Sequence, residues 1–224
     1  MFLNVKMEST FLEDVVNYIQ KDMTILLIDD EEDETNIGQG EMIVFSTKHA
    51  DSPSIRELCD GLELHLYQTV SSVRIFNNEF EAEEYEMWKK EGVDLTEEEA
   101  THDDPVWKFA RELGVSDVAV YEENDYDDNT ISVYGTIAIL SDLSIGKEYQ
   151  RKGYGTQAME EIINYCKALG IDFILLKPFP PSGEDMDEIE SQRKVSELLS
   201  FYEPLEFKKT IGRAEEVHLC LRLV

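Results

Sequence analysis

Residues 143–176 read LSIGKEYQRKGYGTQAMEEIINYCKALGIDFILL, and this stretch decides the fold. Leu143 to Ile145 carries a strand signal. Gln150 to Gly155 is a tight basic turn holding two glycines. Beyond it Ala158, Met159, Ile162, Ile163, Cys166 and Leu169 recur three and four apart, which predicts a helix with one apolar stripe. Gly170 stands just past it, where a left-handed residue ends a helix. Ile171 to Leu176 is a short apolar run fit for a buried strand.

Strand, turn and helix in that order suit a phosphate. The first amides of a helix have no partner within it, and its dipole adds partial positive charge there. Gly153 and Gly155 let the backbone approach an anion closely, and Arg151 and Lys152 add full charges beside it. The pattern Gln150-x-x-Gly153-x-Gly155, behind a strand ending Ser144-Ile145 and ahead of a helix, resembles the acetyl-CoA loop of the GNAT N-acetyltransferases, whose form is Gln/Arg-x-x-Gly-x-Gly/Ala. Leu143 to Leu176 fits that family's cofactor motif without a gap.

The resemblance implies an α+β fold, a mixed, mostly antiparallel twisted sheet flanked by helices. It implies acetyl-CoA as cosubstrate, held by Leu143, Ser144, Ile145, Gln150, Arg151, Lys152, Gly153, Tyr154, Gly155 and Thr156. The activity it implies is transfer of an acetyl group to a primary amine by direct attack on the thioester. A catalytically silent acyl-CoA-binding or protein-interaction module on the same fold is the alternative. A backbone amide at the strand end, Ile145 foremost, would polarise the thioester oxygen. Phe201 to Phe207 resembles the family's Tyr-x-x-x-Gly-Phe segment, which makes Tyr202 the implied acid for the leaving thiolate. Two departures stand out: Glu206 replaces the Gly, and Val195 occupies the place of an Asn seven positions before Tyr202. For a proton acceptor, Asp142 is the candidate, with Glu122 and Glu123 behind it.

The whole chain has 224 residues, an apolar fraction of 42% and a formal net charge of −29. That apolar share suits a globular core. The charge argues against a nucleic-acid or anionic-membrane partner. It is uneven: residues 147–177 hold five of the 20 Lys and Arg and four of the 49 Asp and Glu, a local balance of +1 against −30 elsewhere. A near-neutral island around the proposed loop suits an anionic cofactor. Cys59, Cys166 and Cys220 lie too far apart for a disulfide framework or a zinc spacing, and His49, His65, His102 and His218 are scattered. No metal is expected. Without an apolar leader or a membrane-length run, a cytoplasmic protein is expected. The acceptor would be a small-molecule amine, or a protein lysine or N-terminus, and a homodimer is compatible with the sequence.

Along the chain, Thr10-x-x-Glu13 matches a capping box and predicts a helix through Ile19. Thr24 to Ile28 and Met42 to Ser46 read as strands around the acidic loop Asp29 to Glu34. Residues 1–58 are thus expected to be an N-terminal extension of one helix and two strands, ahead of an acetyltransferase domain at 59–224. Leu62 to Phe76 reads as one or two strands, and Ala82 to Lys90 as a helix. Thr96-x-x-Glu99 and Asp104-Pro105 start two more. By the family plan, helices after a first strand line the acceptor cleft; here they are acidic, and a cationic acceptor would follow. Val115 to Tyr121 and Thr130 to Leu140 read as strands joined by a polar connection, with Ser141-Asp142 a turn or bulge. A stiff loop spans Lys177 to Gly183, a helix Asp187 to Tyr202, and a last strand Glu216 to Val224.

Overall fold

The protein's computed structural model describes residues 2–10, 18–47, 64–76, 79–91, 131–179, 188–211 and 217–223. It opens with an antiparallel meander: β1 (Phe2–Thr10), β2 (Tyr18–Ile28) and β3 (Glu34–Ser46). In β1, Leu3, Val5 and Met7 alternate with Asn4, Lys6 and Glu8, and the three apolar residues pack on the core. That is the period of two a half-buried strand needs.

Two helices and a small parallel sheet follow. These are α1 (Leu64–Ser71), β4 (Val73–Ile75), α2 (Glu79–Glu91) and β5 (Ile131–Val133), with β4 paired to β5. The chain then re-enters the main sheet as β6 (Thr136–Ile145) and continues through α3 (Tyr154–Ala168), β7 (Phe173–Leu176), α4 (Glu188–Tyr202), β8 (Lys208–Ile211) and β9 (Val217–Arg222). The seven strands stand in the order β1-β2-β3-β6-β7-β9-β8. Only β6 and β7 pair parallel; every other neighbour is antiparallel.

The sheet is buried on both faces. On one, Met42, Val44, Ala138, Leu140 and Ile174 pack against Met159, Ile162 and Cys166 of α3 and Tyr202 of α4. On the other, Ile43, Phe45, Ile137, Ile139, Phe173 and Leu175 pack against Leu66 and Val70 of α1 and Val73 and Val133 of the small sheet. Full burial of Met159 and Ile162 contributes about 1.5–3 kcal/mol each. α3 ends as its sequence dictates: Gly170 takes φ +69°, and the Ile171 amide bonds back to the Cys166 carbonyl at 3.0 Å, a Schellman closure. No described helix is long and apolar enough to cross a membrane.

Several sequence expectations are corrected. The helix expected from Thr10 to Ile19 is contradicted at both ends: Thr10 ends β1, and Tyr18 and Ile19 begin β2, paired with Phe45 and Val44, while residues 11–17 lie outside the described residues. A capping-box pattern states a local preference, and strand pairing on a buried face outweighs it. Residues 1–58 therefore supply three strands and no α-helix among their described residues, and β3 lies directly against β6. Leu64 to Ser71 is helical, because Leu66, Thr69 and Val70 share a buried stripe three and four apart. The strand expected from Thr130 to Leu140 breaks at Tyr134-Gly135, with its first part in the small sheet. The last strand lies between β7 and β8. The elements expected at Thr96, Asp104-Pro105 and Val115 to Tyr121, and the candidates Glu122 and Glu123, lie outside the described residues.

Candidate functional site

β6 is longer than its neighbour. β7 pairs with Ile137 to Leu140 and ends there, at Leu176, while β6 continues to Ile145 along β3. Residues 141–145 thus have a strand on one edge only. Ser141 is an extra residue in the ladder: Glu41 pairs with Asp142 and Met42 with Leu140. This bulge lets Leu143 and Ile145 face the same side as Leu140. The Gly146 amide bonds to the Ile37 carbonyl at 2.8 Å. Counting back by the alternation of an antiparallel ladder, Ser144 addresses β3, and the backbone groups of Leu143 and Ile145 address the open side. The Gln150 side-chain amide takes up one of them, donating to the Ile145 carbonyl at 2.7 Å.

The turn that follows is exposed from Gln150 to Gly153. Arg151 and Gly153 both take left-handed backbone, φ +61° and +85°, so successive amides can converge on one side of the chain. Gly153 is the N-cap of α3 and supplies no side-chain cap. The first helical bond runs from the Gln157 amide to the Gly153 carbonyl. Gly155 and Thr156 therefore have amides without helical partners. A Cβ at Gly153 would meet nothing within 4 Å, so the space in front of it is open. Lys152 lies over the Tyr149 ring at 5.7 Å. Arg151 pairs with Glu197 of α4 at 2.6 Å; at such exposure the pair adds little stability, but it joins the turn to α4.

α4 brings Tyr202 to this end of the sheet. Phe201 lies 3.6 Å from where a Gly155 Cβ would stand. Tyr202 is 7% exposed and packs edge-on against Phe207 at 5.3 Å. Burial pushes its phenol up to about 12, and the Asp142 carboxylate adds to the rise. The candidates Tyr202 and Asp142 are thus close enough to sense each other. The turn after Tyr202 survives the missing glycine: Glu206 itself adopts φ +66°.

Every candidate binding residue from Leu143 to Thr156 lies on the strand overhang, in the turn or in the first turn of α3. The acidic helix does not. Glu79 of α2 accepts from Tyr134 at 2.7 Å and pairs with Arg222, which stands opposite Phe173 at the start of β7. That is the far end of the sheet from the overhang. A cavity of about 1010 Å³ lies there, lined by Glu83, Glu86, Lys90, Tyr134 and Arg222 among others. It offers none of the overhang's unpaired strand edge. One residue of the overhang escaped sequence reading: Glu41, opposite Asp142, accepts a hydrogen bond from the Ser141 hydroxyl at 3.2 Å. Its strand reads as starting one residue later, and only strand register reveals the position.

Residues 74–183 match the family model described as Acetyltransferase (GNAT) family. A comparison with curated proteins found no match. Among solved structures, a GNAT-family acetyltransferase from Staphylococcus aureus Mu50 aligns at 9% identity, covering 92% of this chain and 68% of its own, with a TM-score of 0.34. AtaTR bound with AcCoA aligns at 10% identity, 91% and 68% coverage and TM-score 0.37. The KacTA–DNA complex aligns at 9% identity, 99% and 94% coverage and TM-score 0.41.

Proposed function

Since residues 74–183 place the chain in the GNAT acetyltransferase family, we propose that it transfers an acetyl group from acetyl-CoA to a primary amine. One observation carries this reading: an exposed turn leading into the N-terminus of α3 stands directly beside five strand residues that have β3 on one edge only. The amides of Gly153 to Thr156 bind the cofactor's pyrophosphate, with Lys152 and Arg151 beside it. The open edge at Leu143 and Ile145 takes the pantetheine arm as a strand would. The Ile145 amide donates to the thioester oxygen, which gains charge as the tetrahedral state forms.

The amine nitrogen attacks the thioester carbon, and the C–S bond breaks to release a thiolate. With its phenol near 12, Tyr202 is protonated at neutral pH. A thiol titrates about three pH units lower, so complete transfer of the phenolic proton to the thiolate runs uphill. Tyr202 therefore acts by donating a hydrogen bond to the departing sulfur, and the net proton comes from the amine by way of Asp142 and water.

Calorimetric titration of acetyl-CoA, followed by turnover on a panel of amines, tests this reading. Gly153→Val puts a branched side chain at φ +85°, where an L-residue is strained by roughly 1–2 kcal/mol. It should weaken cofactor binding at least tenfold. Tyr202→Phe should lower kcat about 10²-fold and leave cofactor affinity within about twofold. Unchanged turnover in Tyr202→Phe removes that residue from its role. Absence of acetyl-CoA binding to the unaltered protein removes the whole reading.

A further inference from the structure

α4 meets the cofactor turn along one stripe. Arg193, Glu197 and Phe201 stand four apart on α4, and residues so spaced share a helix face. Phe201 packs 3.6 Å from where a Gly155 Cβ would stand. One helical turn earlier, Glu197 accepts from the Arg151 guanidinium at 2.6 Å through Oε2. Its other oxygen, Oε1, accepts from Arg193 at 3.0 Å. One carboxylate thus lies between two guanidiniums, one from the turn and one from its own helix. Arg151 also takes left-handed backbone, φ +61°, which few residues other than glycine adopt. Carboxylate and phosphate offer a guanidinium the same kind of oxygen pair, so both fit the fork of Arg151.

We propose that Glu197 is an internal competitor for the cofactor's diphosphate. It holds the Arg151 guanidinium and yields it to the phosphate oxygens when acetyl-CoA binds. This rests on the acyl-transfer reading of the same turn. The exchange is easy at both ends. Arg151 leaves one oxyanion for another. Glu197 keeps Arg193 on its other oxygen and is not left as a lone charge. The side chains of the Arg151–Glu197 pair are 82% and 38% exposed, so the pair adds little stability, and a weak hold is what an exchangeable contact requires. When CoA is the product, Glu197 recaptures Arg151 and shortens the cofactor's stay. Cofactor affinity is therefore set in part from α4, the helix that carries Tyr202.

Calorimetric titration of acetyl-CoA into the full-length chain and its variants tests the competitor. Glu197→Gln keeps the shape and removes the charge. It should tighten binding roughly two- to fivefold, the size of an exposed pair's contribution. Arg151→Gln should weaken binding, and adding Glu197→Gln to it should change nothing further. Glu190→Gln removes an equal charge from α4 about 10 Å along the helix, beyond the Debye length of about 8 Å at 0.15 M salt. It should leave affinity unchanged. Equal tightening by Glu190→Gln, or by Glu197→Gln in the Arg151→Gln background, would make the effect one of general charge and overturn the proposal. Weaker or unchanged binding in Glu197→Gln alone overturns it too, since the carboxylate is then scaffold for the turn. If the unaltered chain does not bind acetyl-CoA, the acyl-transfer reading fails and the competitor with it. If the unaltered chain binds while Glu197→Gln does not tighten, only the competitor fails. Thermal melts confirm that the variants fold, and Glu197→Ala carries the test should Glu197→Gln not fold.

Discussion

β6 is two strands in one. Ile137 to Leu140 has β3 on one edge and β7 on the other, and all four residues are buried. Asp142 to Ile145 has β3 alone, and none of them is buried. The cause is legible at the end of β7. Leu176 is followed by Lys177-Pro178, then by Pro180 and Pro181; proline has no amide to give a ladder, so β7 cannot follow β6 further. The bulge at Ser141 completes the change by resetting which residues face α3. A strand clamped at one end and open at the other holds unpaired amides in fixed positions without flexibility, which a pre-organised site requires.

The sharpest way to break this contrast is to truncate one residue in each half. Ile139 is 1% exposed, and Ile139→Ala should cost about 2–5 kcal/mol, the range for buried large-to-small changes. Leu143 is only half-buried. Leu143→Ala should cost less than half as much while weakening acetyl-CoA binding. Urea denaturation and calorimetry give both numbers. Equal stability losses would mean that the two halves are equally built into the core.

The clamped half and the turn beyond the open one were readable from sequence for the same reason. Around α3, several local signals agree: the stripe from Ala158 to Cys166, the glycines at 153 and 155, and Gly170 at the end. Agreement across signals is what makes a segment legible. β1 sent a clear signal too, the alternation of Leu3, Val5 and Met7, but the capping-box pattern at Thr10 pointed elsewhere and obscured it. α1 misread for another reason: Leu64 and Leu66 stand two apart, as in a strand, and the helical spacing emerges only with Thr69 and Val70. Glu41 could not be read at all. Its place beside Asp142 is a product of pairing across about 100 residues of chain, which no local pattern encodes.

Alkaline pH probes the contrast through buried acids. Burial pushes Cys166 and Cys220 up to about 12, from an ordinary value of 9.0. Cys220 belongs to the clamped half: it stands opposite Leu175 and packs with Ile139. Tyr202, at the open half, rises to about 12 from 10.0. Above pH 9 the unfolded chain releases the thiol protons and the folded chain keeps them, so the unfolded state binds fewer and stability falls as pH rises. The slope is about 1.4 kcal/mol per pH unit for each group once its unfolded form has titrated. Between pH 9 and 10 the loss comes from the thiols, and Cys220→Ala should reduce the slope by about half. Tyr202→Phe should leave that window unchanged and flatten the curve only above pH 10. Denaturant midpoints at half-unit pH steps separate the two, and a Tyr202→Phe effect below pH 10 would contradict the assignment.

The smallest expected effect concerns the turn that seats Tyr202. Glu206 closes a one-turn helix by donating its amide to the Glu203 carbonyl at 3.1 Å, with φ +66°. A non-glycine residue in that conformation costs roughly 1–2 kcal/mol. Glycine would relieve this but adds freedom to the unfolded chain, at about 0.4–1 kcal/mol. Glu206→Gly should therefore stabilise the protein by at most about 1.6 kcal/mol. Because Tyr202 and Phe207 are packed in the core on either side of the turn, kcat should hold within about twofold. A gain in stability with kcat preserved means that the turn is scaffold and the open half is set by β6 and β7. A change in kcat with stability unmoved would mean instead that Glu206 takes part in shaping the opening, and the contrast between the two halves of β6 would need a third element to explain it.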